Sequence, residues 1–161
     1  FEQEVSLAAN DSGRFEDRWV KLGADSSACT THKWLGELSQ IELPVRHGEG
    51  KFVTRSEKIT DEILKRNLIL WRYLDEEGNP TGRYPENPNG SVEHAAGLCD
   101  VSGRVIGMMP HPEAFLHPIL HPDSAKHSLN EHQADGFRFF AAITRHIIAQ
   151  KSPGEKFNVQ N

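Results

Sequence analysis

The sequence predicts one α/β domain built on a mixed sheet with few helices. Three observations lead there. Short apolar or alternating runs recur at residues 4–10, 15–22, 40–45, 51–54, 68–74, 95–99 and 104–109, with the lengths and patterns of strands. Only residues 60–67 and 131–150 carry apolar side chains at helical spacing. Strands interrupted by so few helices do not form a regular βαβ series, so the sheet is expected to be mixed. The 161 residues are enough for one core.

Composition narrows the function classes. With 37% hydrophobic and 25% charged residues the chain reads as globular and not disordered. A net charge of −5 gives no reason to expect nucleic acid or a membrane surface as a partner. No apolar run reaches the length of a membrane span and no signal-peptide pattern opens the chain. The two cysteines, Cys29 and Cys99, lack the CxxC spacing of a metal or redox site. A reducing cytoplasm is the expected compartment. The chain opens at Phe1, already like the interior of a fold, which suggests a piece of a longer protein.

The elements follow in order. Residues 4–10 read as a strand leading into the turn Asn10-Asp11-Ser12-Gly13, and residues 15–22 as a second strand, with a hairpin the economical arrangement. Residues 26–36 are polar and turn-rich, a loop. A strand at 40–45 runs into His47-Gly48-Glu49-Gly50, where two glycines around an acidic residue mark a tight turn with exposed backbone amides. A strand at 51–54, a helix at 60–67 and a strand at 68–74 come next. Residues 75–91, rich in Gly, Pro and Asn, form a long loop of the kind that is usually functional or partner-facing. Residues 95–99 and 104–109 flank Asp100-Val101-Ser102-Gly103 as a hairpin. The closing helix, residues 131–150, is expected to bury Phe137, Phe140, Ile143 or Thr144, and Ile147. A flexible tail follows residue 150.

The chemistry concentrates in Val105-Ile106-Gly107-Met108-Met109-Pro110-His111-Pro112-Glu113. The apolar run suits a buried strand. Pro110 and Pro112 disfavour helix at the residues before them, so His111 should sit in extended backbone. Residues two apart then point to the same side. His111 and Glu113 would stand together, a base and the carboxylate that orients it. The plainer reading is a strand and a proline-rich loop with a surface histidine. His117, His121, His127 and His132 raise the thought of a metal site, but Pro118 and Pro122 break the helix that would align them.

Read together, Asn10-Asp11-Ser12-Gly13-Arg14-Phe15 with Arg18-Trp19, His47-Gly48-Glu49-Gly50, Asn87-Pro88-Asn89-Gly90-Ser91 and Met109-Pro110-His111-Pro112-Glu113 occur in this order. The set resembles the glutaminase subunit or domain of phosphoribosylformylglycinamidine synthase, a class I glutamine amidotransferase, over residues 4–150. The resemblance implies a flavodoxin-like open mixed sheet with flanking helices and a Cys-His-Glu triad. It makes His111 the general base and Glu113 its orienting carboxylate, and places His47, Gly48 and Glu49 where the glutamine backbone is held. It implies ammonia transfer to a synthetase subunit or domain using ATP, magnesium and formylglycinamide ribonucleotide, with no cofactor in this domain.

The departures matter too. The family's nucleophile sits on a sharp strand-to-helix turn, and this chain has no such turn. Cys29 lies in a Ser/Thr-rich loop, and Cys99 precedes Asp100 with no following helix to activate it. The resemblance therefore implies the C-terminal portion of a glutaminase domain, residues 1–150, without its nucleophile-bearing part. The alternative is a nucleophile-less module that only docks on a synthetase. A histidine-rich metal protein is the third reading.

Overall fold

The computed structural model describes residues 2–25, 27–28, 33–126 and 134–151. Seven strands lie among them: β1 (Val5–Ala8), β2 (Glu16–Ala24), β3 (Gln40–His47), β4 (Lys51–Thr54), β5 (Ile69–Tyr73), β6 (Ala95–Cys99) and β7 (Ile106–Met108). Two α-helices accompany them, α1 (Glu57–Lys65) and α2 (Asp135–Lys151). Five strands form one sheet in the order β3-β2-β5-β6-β7, and β1 pairs with β4 apart from it. The α/β class is as expected. Every strand pairing among the described residues is antiparallel, so the mixed sheet expected is not contained within them.

The hairpin expected between residues 4–10 and 15–22 does not form. β1 lies antiparallel to β4 and β2 antiparallel to β3, with Ala8 opposite Lys51 and Glu16 opposite His47. The two chain segments thus make one long ribbon, broken where residues 9–15 bulge out against the turn after His47. Gly13, at φ 62, closes that bulge in the left-handed region that costs glycine least. The unequal lengths of the two interruptions stop the ladder and let the ribbon change sheets.

One face of the large sheet carries the main core. Val20, Leu22, Leu43, Val45, Trp71 and Tyr73 are buried there. A 3-10 helix, Lys33–Leu38, covers them with Trp34, Leu35 and Leu38, where the sequence suggested only a polar loop. The reason is local: three apolar residues in a short span are too few to show a period. α2 packs beside it, but by another face than expected. Phe139 and Ala142 are buried, Ile143 packs partly on the core as expected, and Phe137, Phe140 and Ile147 stand 40–47% exposed. Aromatic residues on both faces make the helical period ambiguous, and the small Gly136 and Ala142 decide it by allowing close approach. Phe139 then meets Trp71 with ring centroids 5.5 Å apart, a tilted arrangement of two rings that bury large apolar areas.

On the opposite face, α1 presents Ile63 to Phe52, Ile69 and Ala95 in a smaller cluster. β5 is thus covered on both sides, which suits its apolar run, broken only by Arg72. β7 is an edge strand, and Val105 before it is 68% exposed, against the expectation of a buried strand. An open groove of about 1040 Å³ runs between β1, α1 and the β6–β7 hairpin, past Leu98, Cys99 and Met108. No helix among the described residues is long and apolar enough to cross a membrane. Apart from Lys151, the tail expected after residue 150 lies outside the described residues.

Candidate active site

Three turns that are far apart in sequence meet at the break in the ribbon. Asn10 is the hub, and it is nearly fully buried. Its backbone amide donates to Gly48 O at 2.9 Å. Its Nδ2 donates to both Arg14 O and His47 O at 2.8 Å, and its Oδ1 accepts from Gly50 N at 3.0 Å. One asparagine side chain, with two donors and an acceptor, thereby serves the backbone of both interruptions.

The long loop folds onto the same place. Asn89, with no exposed surface, donates from Nδ2 to Gly50 O at 2.6 Å and to the Tyr73 hydroxyl at 3.0 Å. Asp11 N donates to Asn89 O at 3.2 Å. Ser91 Oγ accepts from Phe52 N at 3.0 Å. Asn87 Oδ1 accepts from the amides of Gly90 and Ser91, both at 3.1 Å. Gly90, at φ 78, lies so close to Asp11 that an added Cβ would sit 1.9 Å from its Oδ2. Residues 87–91 are thus a buried polar plug, and the amide side chains replace the ladder bonds that the ribbon loses there.

His47 ends β3 inside this assembly. Its ring packs on Gly50, where a Cβ would come within 2.2 Å of it. Both ring nitrogens are buried without a hydrogen-bond partner among the described residues. Burial, and then the charge of His111, push the His47 pKa down, against upward contributions from its own backbone and Glu16. The favoured form is the neutral imidazole. Glu16, opposite His47 in the ladder, is held below the ordinary carboxylate range. Burial raises its pKa, but the Ser12 hydrogen bond and the Arg18 guanidinium, at 2.6 Å, outweigh that. Gly48 borders open space, and Glu49 stands exposed at the crest of the turn.

The β6–β7 hairpin delivers His111 as expected, but its anchor on β3 was not legible in the sequence. The chain leaves β7 after Met108, and the His111 amide donates to Pro44 O on β3 at 2.8 Å. Pro112–Ala114 then turn as a 3-10 helix, so Glu113 is not in the extended backbone expected of it. The expected contact forms all the same: His111 Nδ1 lies 2.6 Å from Glu113 Oε1. Glu113 ionises below its ordinary range. Burial raises it, but the hydrogen bond to His111, its own amide and the charges of His111 and Arg46 prevail. A carboxylate on Nδ1 leaves Nε2 as the nitrogen available for proton transfer.

The remaining candidates separate from this site. Cys99, at the end of β6, is buried, and its thiol is pushed up by burial and then by Asp100. That is the opposite of an activated nucleophile. Cys29, His127 and His132 lie outside the described residues. His121 packs against Trp19 with centroids 4.4 Å apart and approaches Glu42 at 3.4 Å, while His117 Nδ1 accepts from Ile119 N. Among the described residues no group of three or more His, Cys, Asp or Glu side chains is arranged to hold a metal ion. The sequence placed Asn10, Asn89 and Ser91 in turns and in the ordered motifs but gave them no part in the site, because turn chemistry marks a turn without saying what it packs against.

The lowered His47 pKa has a sign. Below pH 6.5, its ordinary value, the unfolded chain takes up the proton before the folded chain does. Stability from this group is complete above that pH and declines as the pH falls toward the lowered folded value. Urea melts between pH about 7.5 and about 5 should show a shallower acid loss for His47→Gln than for the native chain. Parallel losses would show that His47 titrates as it does in the unfolded chain.

On this α/β fold an imidazole–carboxylate pair, His111 with Glu113, thus stands beside a buried turn, an arrangement able to accept and return a proton. The CobB/CobQ-like glutamine amidotransferase domain matches residues 1–147, and the chain belongs to that family. Its relatives include phosphoribosylformylglycinamidine synthase subunit PurQ of Methanococcus maripaludis, 40% identical over 76% of this chain and 44% of that protein. PurQ of Archaeoglobus fulgidus is 46% identical over 68% and 41%. The Drosophila melanogaster phosphoribosylformylglycinamidine synthase is 41% identical over 68% of this chain and 8% of that protein. The structure of PurLQS from Thermotoga maritima shares the fold, with a TM-score of 0.61 at 23% identity, over 90% of this chain and 54% of that one. The chain spans less than half the length of the PurQ of M. maripaludis and A. fulgidus.

Proposed function

We propose that this chain supplies the general base His111, its orienting carboxylate Glu113 and the glutamine-holding turn of a glutaminase that feeds ammonia to phosphoribosylformylglycinamidine synthesis. The observation that carries the reading is the 2.6 Å contact between His111 Nδ1 and Glu113 Oε1. A cysteine thiol gives its proton to His111 Nε2 and attacks the side-chain amide carbon of glutamine. His111 returns a proton to the departing ammonia, and water then hydrolyses the thioester with His111 again as base. Glu113 holds the imidazole in one tautomer and stabilises the imidazolium. His47, Gly48 and Glu49 hold the glutamine backbone, with His47 neutral.

The partner is a synthetase subunit or domain with ATP and magnesium, and the expected compartment is the cytoplasm. No cofactor is needed where His111 acts. A module that only docks is the weaker reading, because such a module has no chemical need of a paired His111 and Glu113. The nucleophile is not Cys99, whose thiol is buried and hard to ionise. The 161-residue chain alone is therefore expected to release no ammonia from glutamine above a buffer control. Release that vanishes on Cys99→Ser would overturn this assignment of roles.

A further inference from the structure

We propose that Asp135 and Gly136, at the start of α2, are positioning residues that hold the turn carrying His111 and Glu113; the inference rests on the reading above. Gly136 is buried against the backbone of that turn. A Cβ added to it would lie 1.8 Å from Pro112 O and 2.5 Å from Phe115 O. Both are main-chain oxygens, so no side-chain rotation relieves the clash, and either the helix or the turn must move. Pro112 stands between His111 and Glu113, and it is buried. Displacing its carbonyl therefore moves the backbone that aims both side chains.

Asp135 fixes the other side of the same wedge. Its Oδ2 accepts from Glu42 N on β3 at 2.7 Å, and its Oδ1 takes Arg138 Nη1 at 2.5 Å. Two residues further along β3, Pro44 O accepts the His111 amide. One strand thus holds both the helix start and the histidine, and Gly136 closes the triangle against the turn. Phe115 ends the turn buried on Trp19, with centroids 4.8 Å apart, so the turn cannot retreat freely. A helix that needed only to cover the core would tolerate alanine here, since alanine favours helix by roughly 1 kcal/mol over glycine.

The test uses the complete glutaminase with its synthetase partner, and compares glutamine-dependent with ammonia-dependent synthesis in each preparation. Gly136→Ala should lower kcat with glutamine by about 100-fold, as a misplacement near 1 Å does, and leave KM for glutamine within about twofold. Ammonia-dependent synthesis, which bypasses His111, should be unchanged. If Gly136→Ala does not fold, the Asp135 variants decide. Asp135→Ala should lose about tenfold in kcat, while Asp135→Asn, which keeps an oxygen for the Glu42 amide, should stay within about threefold of native. Glutamine turnover within about threefold for Gly136→Ala or Asp135→Ala would overturn the proposal. So would equal losses with glutamine and ammonia, the mark of a merely structural role. His111→Asn runs alongside. If that variant keeps glutamine turnover, the functional reading itself falls. If it loses turnover while Gly136→Ala does not, only the present inference falls.

Discussion

His111→Asn, made in the complete glutaminase with its partner, should abolish glutamine-dependent synthesis and leave ammonia-dependent synthesis intact. Asparagine can neither accept the thiol proton near neutral pH nor return one to the departing ammonia. Losing the base of such a triad typically costs about 10⁴-fold or more in kcat. Glu113→Gln should cost less. It keeps a group that can accept from Nδ1 at the observed 2.6 Å spacing, but not the charge that favours the imidazolium. The ratio of the two activities separates the outcomes. Glutamine turnover within a few-fold of native would remove His111 from the chemistry. A parallel fall of both activities would make it a structural residue, held to β3 through Pro44 O.

Asn10→Ala should produce the largest loss of stability among single polar substitutions, about 3–5 kcal/mol in urea unfolding. Three backbone groups lose their partner at once: His47 O, Arg14 O and Gly50 N. Each buried polar group left unpaired costs roughly 1–3 kcal/mol, reduced where water reaches it. Asn10→Asp should fail as well, since it places a carboxylate oxygen against the two carbonyls that Nδ2 now serves. Glu49→Ala, on the exposed crest of the same turn, should change stability by no more than about 0.5 kcal/mol. In the complete enzyme Asn10→Ala should also raise KM for glutamine, because it frees the turn that carries His47. A loss below about 1 kcal/mol would show that Asn89 and Ser91 hold the turn without Asn10.

The strands were legible because each carries its own period, and the His111–Glu113 contact was legible because Pro110 and Pro112 restrict the backbone around His111. The Pro-His-Pro-Glu order places His111 and Glu113 in contact in either of two backbones. The expectation of contact therefore survived an error about conformation: Glu113 lies in a 3-10 turn and not in a strand. Pairing was not legible in the same way. Residues 4–10 and 15–22 look like a hairpin locally, and the competing partners, β3 and β4, lie far along the chain. Their bonds to β1 and β2 win because Asn10 satisfies both interruptions at once.

The sequence by itself determined roughly where the seven strands and the two α-helices lie (though not the 3-10 helix at Lys33–Leu38), which residues could act as base and orienter, and that Cys99 makes a poor nucleophile. These follow from local restrictions on backbone angles and from the chemistry of single side chains. Only the tertiary structure decided which face α2 buries, that Asn10, Asn89 and Ser91 lock one turn, and that Gly136 backs the turn of His111. Each of these depends on a contact between segments far apart in the chain. Such a contact forms for the shape it completes, a glycine-sized gap or an unpaired amide, and that shape does not exist until the rest of the fold has closed around it.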